Sequence, residues 1–214
     1  MDGINGITAG YALAVHVPLA MLNNPLTSCN FVDQSLIVVA ILSVLVFCLF
    51  NFRPRGKAKC FAGDVGSIGI AFILLFLIGK VIIATGDLTF LIFLLVYGVD
   101  GCLTICHRIM LHENLGEAHR KHAYQLMANE LRISHPLVSC LYACLQLLLS
   151  LGFIVMTWVM NENASTGSAQ VHNDDIILAN WIYPLCALVV LAMAYVAFMR
   201  KYYWMHEEYL ASLK

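Results

Sequence analysis

The chain has 214 residues, 61% of them hydrophobic and 12% charged, with a net charge of −1 and a mean hydropathy of +0.81. A soluble domain carries about 25% charged residues, so the composition excludes that class and indicates a polytopic membrane protein. The near-zero net charge excludes a general affinity for nucleic acid.

A bilayer core of ~30 Å takes about 20 helical residues. Six apolar runs approach or reach that length, at 7–22, 35–50, 67–84, 88–106, 136–160 and 176–199. They predict one all-α domain, 1–214, with six transmembrane helices. Met1-Asp2-Gly3 has no basic n-region, so insertion is expected to depend on the membrane helices themselves. Ahead of the first run, Asp2-Gly3-Ile4-Asn5-Gly6 places a carboxylate and a carboxamide three residues apart among glycines. Such dipeptides are also ordinary turn formers. The first two runs are short, and Pro18 predicts a kinked or incomplete first crossing. His16, inside that run, reads as a hydrogen-bonded packing residue.

Between the second and third runs lies Lys59-Cys60-Phe61-Ala62-Gly63-Asp64-Val65-Gly66-Ser67. Asp64 sits between two glycines, where bare backbone can approach a ligand. Ser67 occupies a position suited to a helix N-cap. A helix N-terminus suits phosphate, and Asp64 beside it can hold a hard cation such as Mg²⁺. The competing reading is a tight turn before a membrane helix. Lys80, near the far end of the third run, reads as a side chain reaching the interface. Asp100 lies about two turns inside the fourth run, where a carboxylate must face a polar contact, structural or functional. The pairs Cys102/Cys106 and Cys140/Cys144, spaced i, i+4, read as helix packing by a small hydrophobe.

The long polar stretch 107–135 contains Ala118-His119-Arg120-Lys121-His122-Ala123-Tyr124-Gln125. If helical, His119 and His122 share a face and form a cationic cluster with Arg120 and Lys121, suited to phosphate oxygens. A solvated basic face is the alternative. His112-Glu113 is followed by Asn114-Leu115-Gly116, so the zinc-protease pattern fails. A zinc site on His119 and His122 lacks further ligands.

Charge gives the orientation. With the N-terminus cytoplasmic, segments 51–66, 107–135 and 200–214 hold every Lys and Arg except Lys80. The opposite segments, 23–34, 85–87 and 161–175, carry Asp33, Asp87, Glu162, Asp174 and Asp175 with no Lys or Arg. The positive-inside rule therefore predicts cytoplasmic N- and C-termini and puts the three polar constellations on one side. Carboxylates in two of them and a basic cluster in the third describe a metal–diphosphate site.

These motifs resemble those of the polyprenyl-phosphate sugar-1-phosphate transferases (glycosyltransferase family 4). That group includes the bacterial UDP-GlcNAc:undecaprenyl-phosphate GlcNAc-1-phosphate transferases and the phospho-MurNAc-pentapeptide transferases. Asp2-Gly3-Ile4-Asn5-Gly6 is similar to the family's Asp-Gly-x-Asp/Asn-Gly, residues 61–67 to its Phe-Met-Gly-Asp-x-Gly-Ser, and His119-Arg120-x-His122 to its His-rich loop. The resemblance implies transfer of a sugar-1-phosphate, of N-acetylhexosamine type, from a UDP-sugar donor to a polyprenyl (undecaprenyl) phosphate acceptor, with release of UMP. It implies Asp64 as the Mg²⁺ (or Mn²⁺) ligand and as a catalytic residue together with Asp2 and His122. Phe61 would stack on uracil; Gly3, Asn5 and Gly6 would contact uridine and diphosphate; His119 and Arg120 would bind phosphate. The setting would be the bacterial inner membrane, with a homodimer allowed.

The chain resembles only the C-terminal part of a typical member. The family's upstream acidic pair has no counterpart here, which implies that this polypeptide alone lacks part of the active site. An internal methionine taken as a start, or a fragment, is the expected cause. Ala62 replaces the usual methionine, and Tyr124-Gln125 stands where two histidines are usual. The alternative is a non-catalytic polytopic protein: a remnant, a transporter or a lipid-binding subunit.

Overall fold

The computed structural model of the protein describes residues 3–23, 30–117, 120–166 and 173–212. Among them are seven α-helices and no strand: α1 (Ile7–Leu22), α2 (Gln34–Asn51), α3 (Gly63–Thr85), α4 (Leu95–Met110), α5 (Ala123–Asn129), α6 (His135–Thr166) and α7 (Asn173–Ser212). A 3₁₀ segment, Leu88–Leu94, leads into α4. Five stretches, in α2, α3, Leu88–Met110, α6 and α7, are long and apolar enough to cross a bilayer. The protein is an all-α polytopic membrane protein. Each of the six predicted runs lies within a helix or, for 88–106, within the 3₁₀–α4 unit; α5 is an additional short helix in the polar stretch.

The first run differs from the others in a way that organises the bundle. Helix α1 continues through Pro18 but has only 16 residues, about 24 Å at 1.5 Å per residue. Eleven of those residues are buried, on every face. The helix is the inner element, enclosed mainly by α6, α2 and α3. Small residues permit the approach. A Cβ added at Gly10 would stand 3.6 Å from the Ala143 Cβ and 3.7 Å from the Ser139 carbonyl of α6. Close backbone packing through small residues drives helix association where lipid competes with side chains.

The outer helices show the reverse pattern. Leu42, Val46 and Leu49 of α2, Phe72 and Leu75 of α3, and Leu185 and Val189 of α7 are exposed, as expected of lipid-facing surfaces. Cys102, Cys106, Cys140 and Cys144 are exposed as well. They do not pack between helices as expected; a thiol is apolar enough to lie on the outer face. Lys80 is also exposed.

The 3₁₀-to-α junction before α4 interrupts the regular backbone ladder within a membrane span. Buried Gln146 of α6 compensates for it. Its Nε2 donates to the Ile92 carbonyl (2.9 Å) and to Ser150 Oγ (2.9 Å). Its Oε1 accepts from the Val96 N–H (3.2 Å) and from the Tyr11 hydroxyl of α1 (2.7 Å). Irregular backbone at this depth is tolerated only where protein groups satisfy it. Gln146→Leu removes all four partners, and a destabilisation of about 1–3 kcal/mol is expected. Unfolding in mixed micelles measures it; a wild-type midpoint would show that the junction is satisfied in another way.

Candidate functional site

Residues 3–6, the 51–62 connection, the first turn of α3, α5 and the start of α6 gather at one end of the bundle. Arg53, Arg55, Lys57 and Lys59 belong to the 51–62 connection, and Arg120 and Lys121 directly precede α5, so this is the basic end. At the opposite end Asp33 and Asp87 cap helices, and Asn180 Nδ2 donates to Asp87 Oδ2 at 3.2 Å. The two ends alternate along the chain as the charge pattern predicts.

The first motif is a turn that leads into α1. Gly6 is its N-cap, at φ +86°, a left-handed conformation that favours glycine. A Cβ there would also come within 2.5 Å of the Phe52 ring. Asn5 is buried and its polar groups hold neighbouring segments. Its Nδ2 donates to the carbonyls of Arg53 (3.0 Å) and Pro54 (3.1 Å). Its backbone N–H donates to His135 Nδ1 (3.2 Å), and its carbonyl accepts from Ser139 Oγ (2.9 Å). Gly3 packs against α5; a Cβ would collide with the Gln125 amide and lie 2.9 Å from the Tyr124 hydroxyl. Asp2 lies outside the described residues.

Asn51, fully buried at the end of α2, joins the first motif to the second. Its Oδ1 accepts from the Gly6 N–H at 2.7 Å, and its Nδ2 donates to the Cys60 carbonyl at 2.8 Å. The residue after Cys60 is Phe61, which is 69% exposed. Helix α3 starts at Gly63 (φ +59°), with Asp64 in its first turn. This corrects the N-cap expectation for Ser67, which lies in the second turn, buried, its Oγ donating to the Asp64 carbonyl at 3.2 Å. The start moves upstream because Gly63 takes a backbone conformation that other residues resist, and a carboxylate in the first turn interacts favourably with the helix dipole. Asp64 is exposed, and no hydrogen bond or ion pair engages its carboxylate among the described residues.

The third constellation is arranged differently from a helical His/Arg face. His119 lies outside the described residues, Arg120 is exposed, and α5 starts only at Ala123. His122 is the N-cap, in extended conformation. Lys121 is drawn off into an ion pair with Glu113, which also accepts from Arg108 Nε at 3.2 Å. Arg108, 4% exposed, further donates to the carbonyls of Asn114 and Glu117. Arg108 therefore shapes the loop before Arg120. The cluster is thus divided: one cation is neutralised, while Arg120 faces solvent.

Asp100 fixes the remaining member. Its Oδ1 accepts from the Ala123 N–H (3.0 Å) and Thr104 Oγ1 (3.2 Å), and its Oδ2 accepts from the Tyr142 hydroxyl (2.9 Å). His122 Nδ1 stands 3.6 Å from Asp100 Oδ1, and its ring stacks on Tyr124 with centroids 5.3 Å apart. The intramembrane carboxylate thus makes a structural contact that positions α5 and His122 against α4 and α6. Through Tyr124 and Gly3 this unit touches the first motif.

The first two motifs are therefore joined through Asn51, and the first and third through Gly3. Together they offer an exposed aromatic ring, an exposed carboxylate at a helix start, and an exposed guanidinium near a held imidazole. That set can bind a base, a cation and phosphate. Asn51 and Arg108 were not singled out from sequence. For Asn51, a lone carboxamide closing an apolar run was the available signal.

Residues 1–84 match the family model described as Glycosyl transferase family 4. No curated protein and no solved structure matches the chain. The matched stretch contains α1 to α3, both glycine-flanked motifs and Asn51. It ends before Asp100, Arg108 and the His122 loop.

The ion-paired loop carries a pH dependence. The hydrogen bond from Lys121, with help from Arg108, holds the Glu113 carboxyl below its ordinary value, against the opposing effect of burial. A lowered folded-state value means that the stabilisation is complete above the ordinary glutamate range and is lost as pH falls through the lowered value. Amide protection of residues 111–117, followed by hydrogen exchange corrected for intrinsic rates, is expected to hold at neutral pH and fall in acid. Glu113→Gln is expected to lower protection at neutral pH and flatten the dependence. Equal protection in both proteins at pH 7 would dismiss the ion pair as the loop's anchor.

Proposed function

We propose that this membrane domain transfers a sugar-1-phosphate, of N-acetylhexosamine type, from a UDP-sugar to a polyprenyl phosphate, releasing UMP. The observation that carries the reading is the Asn51 bridge between Gly6 and Cys60. It holds two glycine-flanked motifs together at the basic end, within the stretch matched by the family model. By the positive-inside rule that end is cytoplasmic, which gives the site access to a soluble nucleotide donor. The apolar outer faces give it access to an acceptor dissolved in the bilayer. The cytoplasmic membrane of a bacterium is the compartment in which we place it.

In this reading the exposed Phe61 ring stacks on uracil, and the Gly3–Gly6 turn, with Asp2 before it, lies against the uridine and diphosphate. Arg120 and the His119–His122 loop bind phosphate oxygens, and Asp100 keeps His122 in position. An oxygen of the lipid phosphate forms a bond to the sugar-bearing phosphorus. The bond from that phosphorus to the bridging oxygen breaks, and UMP departs with the electron pair.

The residues fit a cation shared with substrate rather than one caged by protein. Asp64 presents an exposed carboxylate at a helix start, and no group of three His, Cys, Asp or Glu side chains is placed for a metal among the described residues. Mg²⁺ is typically held by one or two carboxylates plus substrate phosphates, with Mn²⁺ as a substitute. Bound there, it would neutralise charge on the diphosphate oxygens.

Asp64→Asn in the complete protein is expected to abolish Mg²⁺-dependent UMP release from a UDP-N-acetyl sugar while membrane insertion continues. Persisting turnover would remove Asp64 from the metal site. Phe61→Ala is expected to weaken UDP-sugar binding by about 1–3 kcal/mol, the scale of one aromatic–base stack. An unchanged dissociation constant would remove the uracil assignment.

A further inference from the structure

We propose that His135 supplies a fixed N–H donor to a phosphate oxygen at the α6 N-terminus. This assignment rests on the reading of the basic end as a nucleotide and phosphate site.

His135 opens the 32-residue helix α6 and is 8% exposed. Its Nδ1 accepts the backbone N–H of Asn5 at 3.2 Å. A ring nitrogen that accepts carries no proton, so the neutral imidazole bears its hydrogen on Nε2. That Nε2 is buried and has no hydrogen-bond partner among the described residues. Buried donors are rarely left unpaired, and such a group points to a ligand, an ion or a water.

The surroundings favour an anion. The N-terminus of a long helix carries partial positive charge. The helix's own first donors are already engaged: Pro136 has no N–H, and the Leu137 and Val138 N–H groups donate to the Ser134 carbonyl at 3.0 and 3.1 Å. The histidine side chain is therefore the directional donor at this helix start. Exposed Arg55 lies within electrostatic range of the ring. Arg53, by contrast, is turned back onto the Leu49 carbonyl through Nε and Nη2. The first motif fixes the ring through Asn5, so the donor is held beside the segment assigned to the diphosphate. The phosphate comes either from the UDP-sugar or from the lipid acceptor.

The full protein in nanodiscs is titrated with uridine, UMP, dodecanol and dodecyl phosphate. Two variants separate the ring nitrogens. His135→Asn keeps an acceptor for the Asn5 N–H but removes the distal donor, and His135→Gln keeps the distal donor. His135→Asn is expected to weaken phosphate binding about tenfold or more, leave uridine and dodecanol unchanged, and be largely rescued by Gln. A loss confined to UMP assigns the nucleotide phosphate, and a loss confined to dodecyl phosphate assigns the lipid phosphate. In the wild-type protein, the ¹⁵N resonance of His135 Nε2 is expected to shift on addition of the affected phosphate. If wild type binds uridine and both phosphates, and His135→Asn binds them equally well with no shift of that resonance, the donor role is overturned and the functional reading stands. A wild-type protein that binds none of these ligands overturns both.

Discussion

Hydrogen bonding of irregular backbone in an apolar setting is the constraint on which the structure depends. Lipid offers no partner to a bare N–H or C=O, so departures from helix must be met by other protein groups. Carboxamides do this repeatedly. Gln146 satisfies the 3₁₀ junction at Ile92 and Val96. Asn23 holds the Phe31 and Val32 N–H groups at the far end of α1. Asn51 and Asn5 hold the turns at the near end. Because α1 is enclosed by α2, α3 and α6, these contacts converge on one short inner helix, and its two ends become the fixed points of the bundle.

The candidate site follows from that arrangement. The turn into α1 is held by Asn51 from α2 and by His135 and Ser139 from α6. It therefore serves as the platform to which the second motif is tied and against which α5 leans. Asp100 repeats the device with a carboxylate, joining α4, α5 and α6 just inside the bundle. Groups committed to structure surround groups left exposed: Asn5, Asn51 and Arg108 are spent on backbone, while Phe61, Asp64 and Arg120 face outward. That division suits a site whose remaining ligands come from a charged substrate.

Much of the fold was legible in the sequence, because run length and charge asymmetry are direct consequences of a bilayer. The six runs and their alternation followed from those two features. The burial of α1 did not, since a helix apolar on all faces reads alike whether lipid or protein surrounds it. Ser67 resembled a cap because it opens the uninterrupted apolar run; the helix begins earlier because Gly63 accepts a left-handed conformation. The paired fate of Lys121 depended on Glu113 eight residues away in a loop, beyond the reach of periodicity. Asp100 was legible as a polar contact, but its partners Tyr142 and Ala123 come from other helices. Asp2 and His119 lie outside the described residues.

The central claim is that the Gly3–Gly6 turn and the Phe61–Asp64 segment form one nucleotide site, held together by Asn51. Photolabelling of the complete protein with a photoreactive UDP-sugar analogue, followed by mapping of the modified residues, tests it most directly. The account requires UMP-protected labels on both segments, and loss of labelling on one of them in Asn51→Leu. Labels confined to other parts of the chain, or labelling of both segments undiminished in Asn51→Leu, would contradict it.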